Sequence, residues 1–93
     1  MTRRLVIGRK GDIVLDHPSV SRKHASIYVS KKGIYLQDLN STNGTFLVKN
    51  NRLIIFPEGY VQLNQHISFG KLRRSIQQLL EQEEKILDFI ING

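Results

Sequence analysis

"ASIYVSKKGIYLQDL", Ala25 to Leu39, is the stretch that decides the fold. Ala25, Ile27 and Val29 alternate with Ser26, Tyr28 and Ser30, the period of two expected of a half-buried strand. Lys31-Lys32-Gly33 interrupts the run and "GIYLQDL" follows it, which reads as a β-hairpin. Upstream lie "RRLVIG" and "DIVL"; downstream come "TFLV", "RLIIF", "YVQL" and "HISF". All are short and β-rich, and Asn, Gly, Pro or Ser punctuates every gap. Many short strands with close turns predict a mainly β fold, a two-sheet antiparallel β-sandwich over residues 1–70. No internal repeat or low-complexity segment breaks this reading.

After Gly70 the period changes. From Lys71 to about Ile91 there is no Pro or Gly, and Leu72, Ile76, Leu79, Leu80, Ile86, Leu87 and Ile90 recur at threes and fours. That spacing predicts a C-terminal amphipathic helix over residues 71–93. Its charges run against the macrodipole, with Lys71, Arg73 and Arg74 at the start and Glu81, Glu83, Glu84 and Asp88 later. An antiparallel copy of the helix would reconcile the charges and bury the stripe, giving a homodimer through those seven apolar residues. The plainer reading, somewhat favoured, packs the stripe on the sandwich and leaves the charges in water.

Ninety-three residues suit one small domain. No apolar run reaches the roughly 20 residues a membrane span needs. "MTRRLVIGRKGD" lacks the apolar core of a signal peptide. There is no cysteine, hence no disulfide and no thiolate metal site. A cytoplasmic location is the expectation. The net charge is +6; residues 1–70 hold ten Lys or Arg against four Asp or Glu, and residues 71–93 hold four of each. A basic body calls for an anionic partner.

Three turns carry the polar chemistry: Gly8-Arg9, "HPSVSRKH" (His17 to His24) and "NSTNGT" (Asn40 to Thr45). Each alone is an ordinary turn, and Asn-Gly is a hairpin signal in its own right. Together they supply what a phosphate monoester demands. Arg9 offers a forked guanidinium. Ser21 and Thr42 offer hydroxyls, Arg22 or Lys23 adds a second charge, and Asn43 can bond a peptide main chain. A phosphothreonine presents about −1.5 to −2 charge and three acceptor oxygens.

At these residues the chain resembles the forkhead-associated (FHA) domain family. The matching text is "IGRKGDIVLDHPSVSRKHASI", "LQDLNSTNGTFL" and "VQLNQHISFG", spanning Leu5 to Gly70. Gly8, Arg9, Ser21, His24, Asn43, Gly44 and Thr45 match the family's Gly-Arg, Ser-x-x-His and Asn-Gly-Thr in order. The resemblance implies a β-sandwich that binds phosphothreonine peptides, without catalysis and without a cofactor. Arg9, Ser21 and Thr42 would contact the phosphate, Arg22 or Lys23 would assist, and Asn43 would hold the peptide main chain. Gly8, His24, Gly44 and Thr45 would support the loops. The chain departs from the family in three places. The strands that usually precede Gly-Arg are missing, which leaves a sheet edge for the helix or a second chain to cover. "FLVKNNRL" lengthens the turn after "NGT". "LNQHI" replaces a Gly-Asp turn, where Asn64 is expected to tolerate a left-handed conformation.

Other function classes fare worse. The aromatics look scattered rather than set as a stacking platform, and no helix-turn-helix or zinc ligand set is present, so nucleic-acid binding is disfavoured. Ser21, His24 and Asp38 invite a catalytic triad, but Ser-x-x-His does not ensure that ring and hydroxyl meet, and no oxyanion hole is evident. The histidines are too dispersed for a metal site. The alternative to peptide binding is a scaffold that works mainly by assembly through its helix.

Overall fold

The computed structural model describes residues 2–83 and residue 86. Among the described residues, nine strands and one helix follow in chain order: β1 (Arg3–Gly8), β2 (Ile13–Val14), β3 (Ala25–Ser30), β4 (Gly33–Asp38), β5 (Thr45–Lys49), β6 (Arg52–Ile55), β7 (Glu58–Val61), β8 (His66–Phe69), β9 (Leu72–Ser75) and α1 (Ile76–Glu81). They build two sheets, one ordered β2-β1-β3-β4-β7 and the other β6-β5-β8-β9. The pairing is antiparallel except between β1 and β2, which run parallel with Ile7 opposite Ile13. The sandwich is therefore the expected one with one mixed sheet.

The period-two pattern places the core. Leu5 and Ile7 of β1, Ala25, Ile27 and Val29 of β3, and Ile34 and Leu36 of β4 turn inward from the first sheet. Ile67 and Phe69 meet them from the second, with Leu47 packed against the cluster. The hairpin read from Ala25 to Leu39 is present, with Tyr28 opposite Tyr35 and Ser30 opposite Gly33. Gly33 has φ 131°, a value that L side chains seldom adopt.

The C-terminal element starts later than its period implied. Leu72–Ser75 is a strand paired with β8, and Gly70, at φ 59°, belongs to the β8–β9 turn rather than to a strand-to-helix switch. The helix begins at Ile76. Ser75 caps it, its hydroxyl accepting from the Gln78 amide at 3.1 Å while the Gln78 side chain accepts from the Ser75 amide at 2.8 Å. This capping box satisfies two otherwise orphaned N–H groups. Lys71, Arg73 and Arg74 thus lie in a turn and a strand, and the conflict expected between basic residues and the helix dipole does not arise.

Ile76, Leu79, Leu80 and Ile86 have no exposed surface and join the sandwich core. They are spent on this chain's own packing, as in the plainer reading, and are not free to form a dimer seam. Leu72 is partly buried against the same core. Leu87 and Ile90, the rest of the stripe, lie outside the described residues. Gln82, at the helix end, reaches β2: its side chain accepts from the Val14 amide at 3.2 Å and donates to the Val14 carbonyl at 3.4 Å. The helix therefore covers an edge of the first sheet.

Two further expectations change. The tyrosines are not scattered: Tyr28, Tyr35 and Tyr60 stand in register across β3, β4 and β7. Their rings meet edge to face, at 6.3 and 5.0 Å between centroids. Neighbours that turn edges to one another make no flat stacking platform. The left-handed asparagines are Asn40, Asn50 and Asn51, and not Asn64. The 62–65 turn closes instead through a bond from the Gln65 amide to the Gln62 carbonyl. No helix among the described residues is long and apolar enough to cross a membrane.

Candidate functional site

The β1–β2, β2–β3 and β4–β5 loops converge at one end of the sandwich. The first approach needs a glycine. A Cβ on Gly8 would collide with the Arg22 carbonyl, so only Gly lets the Arg9 loop lie on the Ser21–Arg22 backbone. Two backbone bonds then fix the contact, from the Arg9 amide to the Ser21 carbonyl at 3.1 Å and from Lys10 to Arg22 at 3.0 Å.

His24 joins the second loop to the third. Its backbone amide donates to the Ile7 carbonyl at 2.8 Å, and its ring is wholly buried, edge-on to Phe69 at 5.6 Å between centroids. Nδ1 accepts from the Ser21 amide at 3.0 Å, which requires the proton on Nε2; Nε2 then donates to the Gly44 carbonyl at 2.9 Å. Both ring nitrogens are thus engaged with backbone, and neither is bonded to the Ser21 hydroxyl. Burial lowers the His24 pKa; the bond to Gly44 and the Asp38 carboxylate at 4.0 Å offset this only in part. The ring is neutral near pH 7.

The third loop is braced from below by Asp38. Its carboxylate accepts from the Ser41 hydroxyl at 2.6 Å, the Ser41 amide at 3.0 Å and the Thr45 hydroxyl at 2.7 Å. Burial alone would raise its pKa, but these bonds outweigh burial and hold it below the ordinary carboxylate value. The Gly44 amide donates to Ser41 Oγ at 3.0 Å, and Gly44 itself takes φ 89°.

Arg9, Ser21, Thr42 and Asn43 line one groove of about 130 Å³, together with Pro18, Ser19 and Val20. Ser21 Oγ accepts from the Thr42 amide at 3.1 Å, which leaves its own O–H free to donate. Arg9 is exposed and has no carboxylate partner among the described residues. Asn43 Nδ2 donates to the Ser19 carbonyl at 2.9 Å, so its Oδ1 is the atom left for a ligand. Arg22 and Lys23 are exposed on the same loop as Ser21 but do not line the groove.

Sequence reasoning missed Ser19. It is buried, its Oγ lies 2.8 Å from His17 Nδ1 and accepts from the Lys71 amide at 2.8 Å, and its carbonyl holds Asn43. Ser19 thereby ties the β8–β9 turn into the site. A Cβ on Gly70 would strike the Ser19 carbonyl, and the Gly70 amide donates to Gly44 at 2.9 Å. Ser19 and Asp38 act through backbone groups distant in sequence, and only the polar composition of their turns hinted at them.

The groove offers a guanidinium, a free hydroxyl proton and an exposed threonine, on loops locked by the neutral His24 ring and the Asp38 carboxylate. It suits a tetrahedral dianion. Among the described residues no group of His, Asp and Glu is placed to hold a metal.

Comparison with known proteins bears on the fold that carries these loops. The family model for the FHA domain matches residues 5–70. The Arabidopsis thaliana homolog of protein phosphatase 1 regulatory inhibitor subunit PPP1R8 is 41% identical over 76 residues, 77% of this chain and 20% of that protein. The human nuclear inhibitor of protein phosphatase 1 is 39% identical over 66 residues, 69% of this chain and 18% of that protein. The chain thus spans about a fifth of the length of these curated relatives. A structure solved in a study of phosphothreonine-dependent FHA domain interactions superposes with a TM-score of 0.66 at 32% identity, covering 75% of this chain and 71% of that one.

Proposed function

Because the chain belongs to the FHA domain family, we propose that it is a phosphothreonine-peptide binding module serving phosphorylation-dependent protein–protein interaction. One observation carries the reading: Arg9, Ser21, Thr42 and Asn43, from three loops, line a single groove in which Arg9 and the Ser21 proton are uncommitted. In this reading Arg9 grips the phosphate bidentately, Ser21 and Thr42 donate to its remaining oxygens, and Asn43 Oδ1 accepts from the peptide main chain. Arg22 and Lys23 supply long-range attraction from outside the groove. Gly8, His24, Gly44 and Thr45 hold the walls in place. The module acts without catalysis: the ring that would serve as a base is bonded to backbone on both sides.

The partner is a protein bearing phosphothreonine. The phosphatase connection in the relatives' names is not carried over, because this chain spans only a fifth of them. A cytoplasmic site of action is part of the proposal, although the human relative is nuclear by name. Assembly through the helix draws no support from the described stripe, which is buried.

The test is calorimetric titration with a degenerate phosphothreonine peptide library and its unphosphorylated counterpart. Binding should require the phosphate. Arg9→Ala should cost about 2–5 kcal/mol of affinity while leaving the thermal melt unchanged. Equal binding of both libraries, or normal binding by Arg9→Ala, would refute the proposal.

A further inference from the structure

Away from the phosphate loops, one row of side chains crosses the outer face of the first sheet. Arg4 is opposite Tyr28, Tyr28 opposite Tyr35 and Tyr35 opposite Tyr60, so the row spans β1, β3, β4 and β7. The Arg4 guanidinium lies 5.9 Å from the Tyr28 ring centroid, and Tyr60, on the edge strand, is 62% exposed. Cross-strand aromatic contact steadies the sheet. It also leaves a groove of about 420 Å³ beside the three rings, lined further by Ser30, Lys32 and Gln37. None of these residues lines the phosphate groove.

The lining is rich in unused donors. The Tyr28 hydroxyl donates to Gln37 Oε1 at 3.1 Å, which leaves Gln37 Nε2 free. Ser30 Oγ accepts from the Lys32 amide at 3.2 Å, which leaves its own O–H free. Tyr35 donates to the Glu58 carboxylate, whereas the Tyr60 hydroxyl has no partner among the described residues. Lys32 is exposed and pairs with no carboxylate among them.

We infer that this groove binds a proline-rich segment in the polyproline II conformation, flanked by an acidic residue that faces Lys32. Such a segment exposes its carbonyls and has no N–H at each proline. It therefore asks for hydrogen-bond donors and aromatic surface, and the groove supplies both. The spacing agrees. Tyr28 to Tyr60 covers two strand spacings, roughly 10 Å, and one polyproline II turn of three residues rises about 9 Å. Prolines three residues apart would meet Tyr28 and Tyr60. Arg4 and Lys32 make the surroundings positive, which favours an acidic flank over a basic one. The same cations disfavour a quaternary ammonium, and Tyr35 and Tyr60, already in contact at 5.0 Å between centroids, leave no gap for one between them. Perpendicular rings offer no stack for bases. This site is independent of the phosphothreonine reading and stands whether or not that reading does.

The chain has three tyrosines, all in this row, and no tryptophan, so its intrinsic fluorescence reads this groove. The probe is an unphosphorylated Pro-Pro-Ala repeat peptide with Asp at its ends and no aromatic residue. Titration into the full chain should change the tyrosine emission saturably. Replacing every proline of the probe by alanine should weaken binding about tenfold, and so should Tyr60→Ala. Lys32→Glu, at an exposed residue, should turn the preference for Asp ends into one for Lys ends, and it keeps the test open should Tyr60→Ala not fold. Any of five results overturns the inference: no saturable change, undiminished binding of the alanine peptide, undiminished binding by folded Tyr60→Ala, an unchanged end preference in Lys32→Glu, or tighter binding of a trimethyllysine peptide or of oligouridylate than of the proline probe.

Discussion

His24 shows how one side chain serves a site it does not line. Its ring is a buried strut between the Ser21 and Gly44 backbones, and this role depends on neutrality: protonated Nδ1 could no longer accept from the Ser21 amide. The folded ring has a lowered pKa, so protons bind more readily to the unfolded chain, and stability falls as pH drops below about 6.5. Asp38 adds a second loss at lower pH, because its folded carboxyl is also depressed and its stabilisation disappears as it protonates. Chemical denaturation between pH 8 and 4 should show stability declining first through the histidine range and again towards pH 4. In His24→Gln the first decline should vanish. Ser26 supplies a control of opposite sign. Its hydroxyl is buried and has no hydrogen-bond partner, so Ser26→Ala should leave the melting temperature unchanged or raise it. The residue types of the site were legible from three short turns. Ser19 was not, because it works through a carbonyl and through a hydroxyl that receives the amide of Lys71, 52 positions away.

The strands were legible as elements because period two survives wherever one face is buried. The helix start was misplaced because Leu72 happens to continue the spacing of Ile76, Leu79 and Leu80. The deciding signal was nonetheless present: Ser75-Ile76-Gln77-Gln78 reads as a capping box, and it outranks periodicity in locating a first turn. Ser75→Ala should lower stability by about 1 kcal/mol, measured by urea unfolding. The β5–β6 turn is held by Asn50 and Asn51, at φ 52° and 60°. Two successive left-handed residues are what a two-residue hairpin loop requires. Asn51→Gly should be neutral or stabilising, whereas Asn51→Val should cost about 1–2 kcal/mol on the same assay.

At the scale of the molecule, the two sheets are closed by the chain's last described elements. Removing everything after Gly70 would delete β9 and four fully buried aliphatic side chains, Ile76, Leu79, Leu80 and Ile86. Loss of even one such residue commonly costs 2–5 kcal/mol, a large part of what a small domain has. A chain ending at residue 70, where the family match stops, should therefore lack the dispersed amide spectrum of the full chain.

The reciprocal pair between Gln82 and Val14 spans 68 positions. It closes about three quarters of the chain into a ring through one side-chain amide. The Val14 N–H is sheltered by that amide and by nothing in the strand ladder beyond it, so its exchange with deuterated solvent clocks the helix lifting away. It should exchange well before the amides of β3, and Gln82→Ala should speed it without touching theirs. Proton exchange at this single position would thus report the breathing of α1 separately from global unfolding.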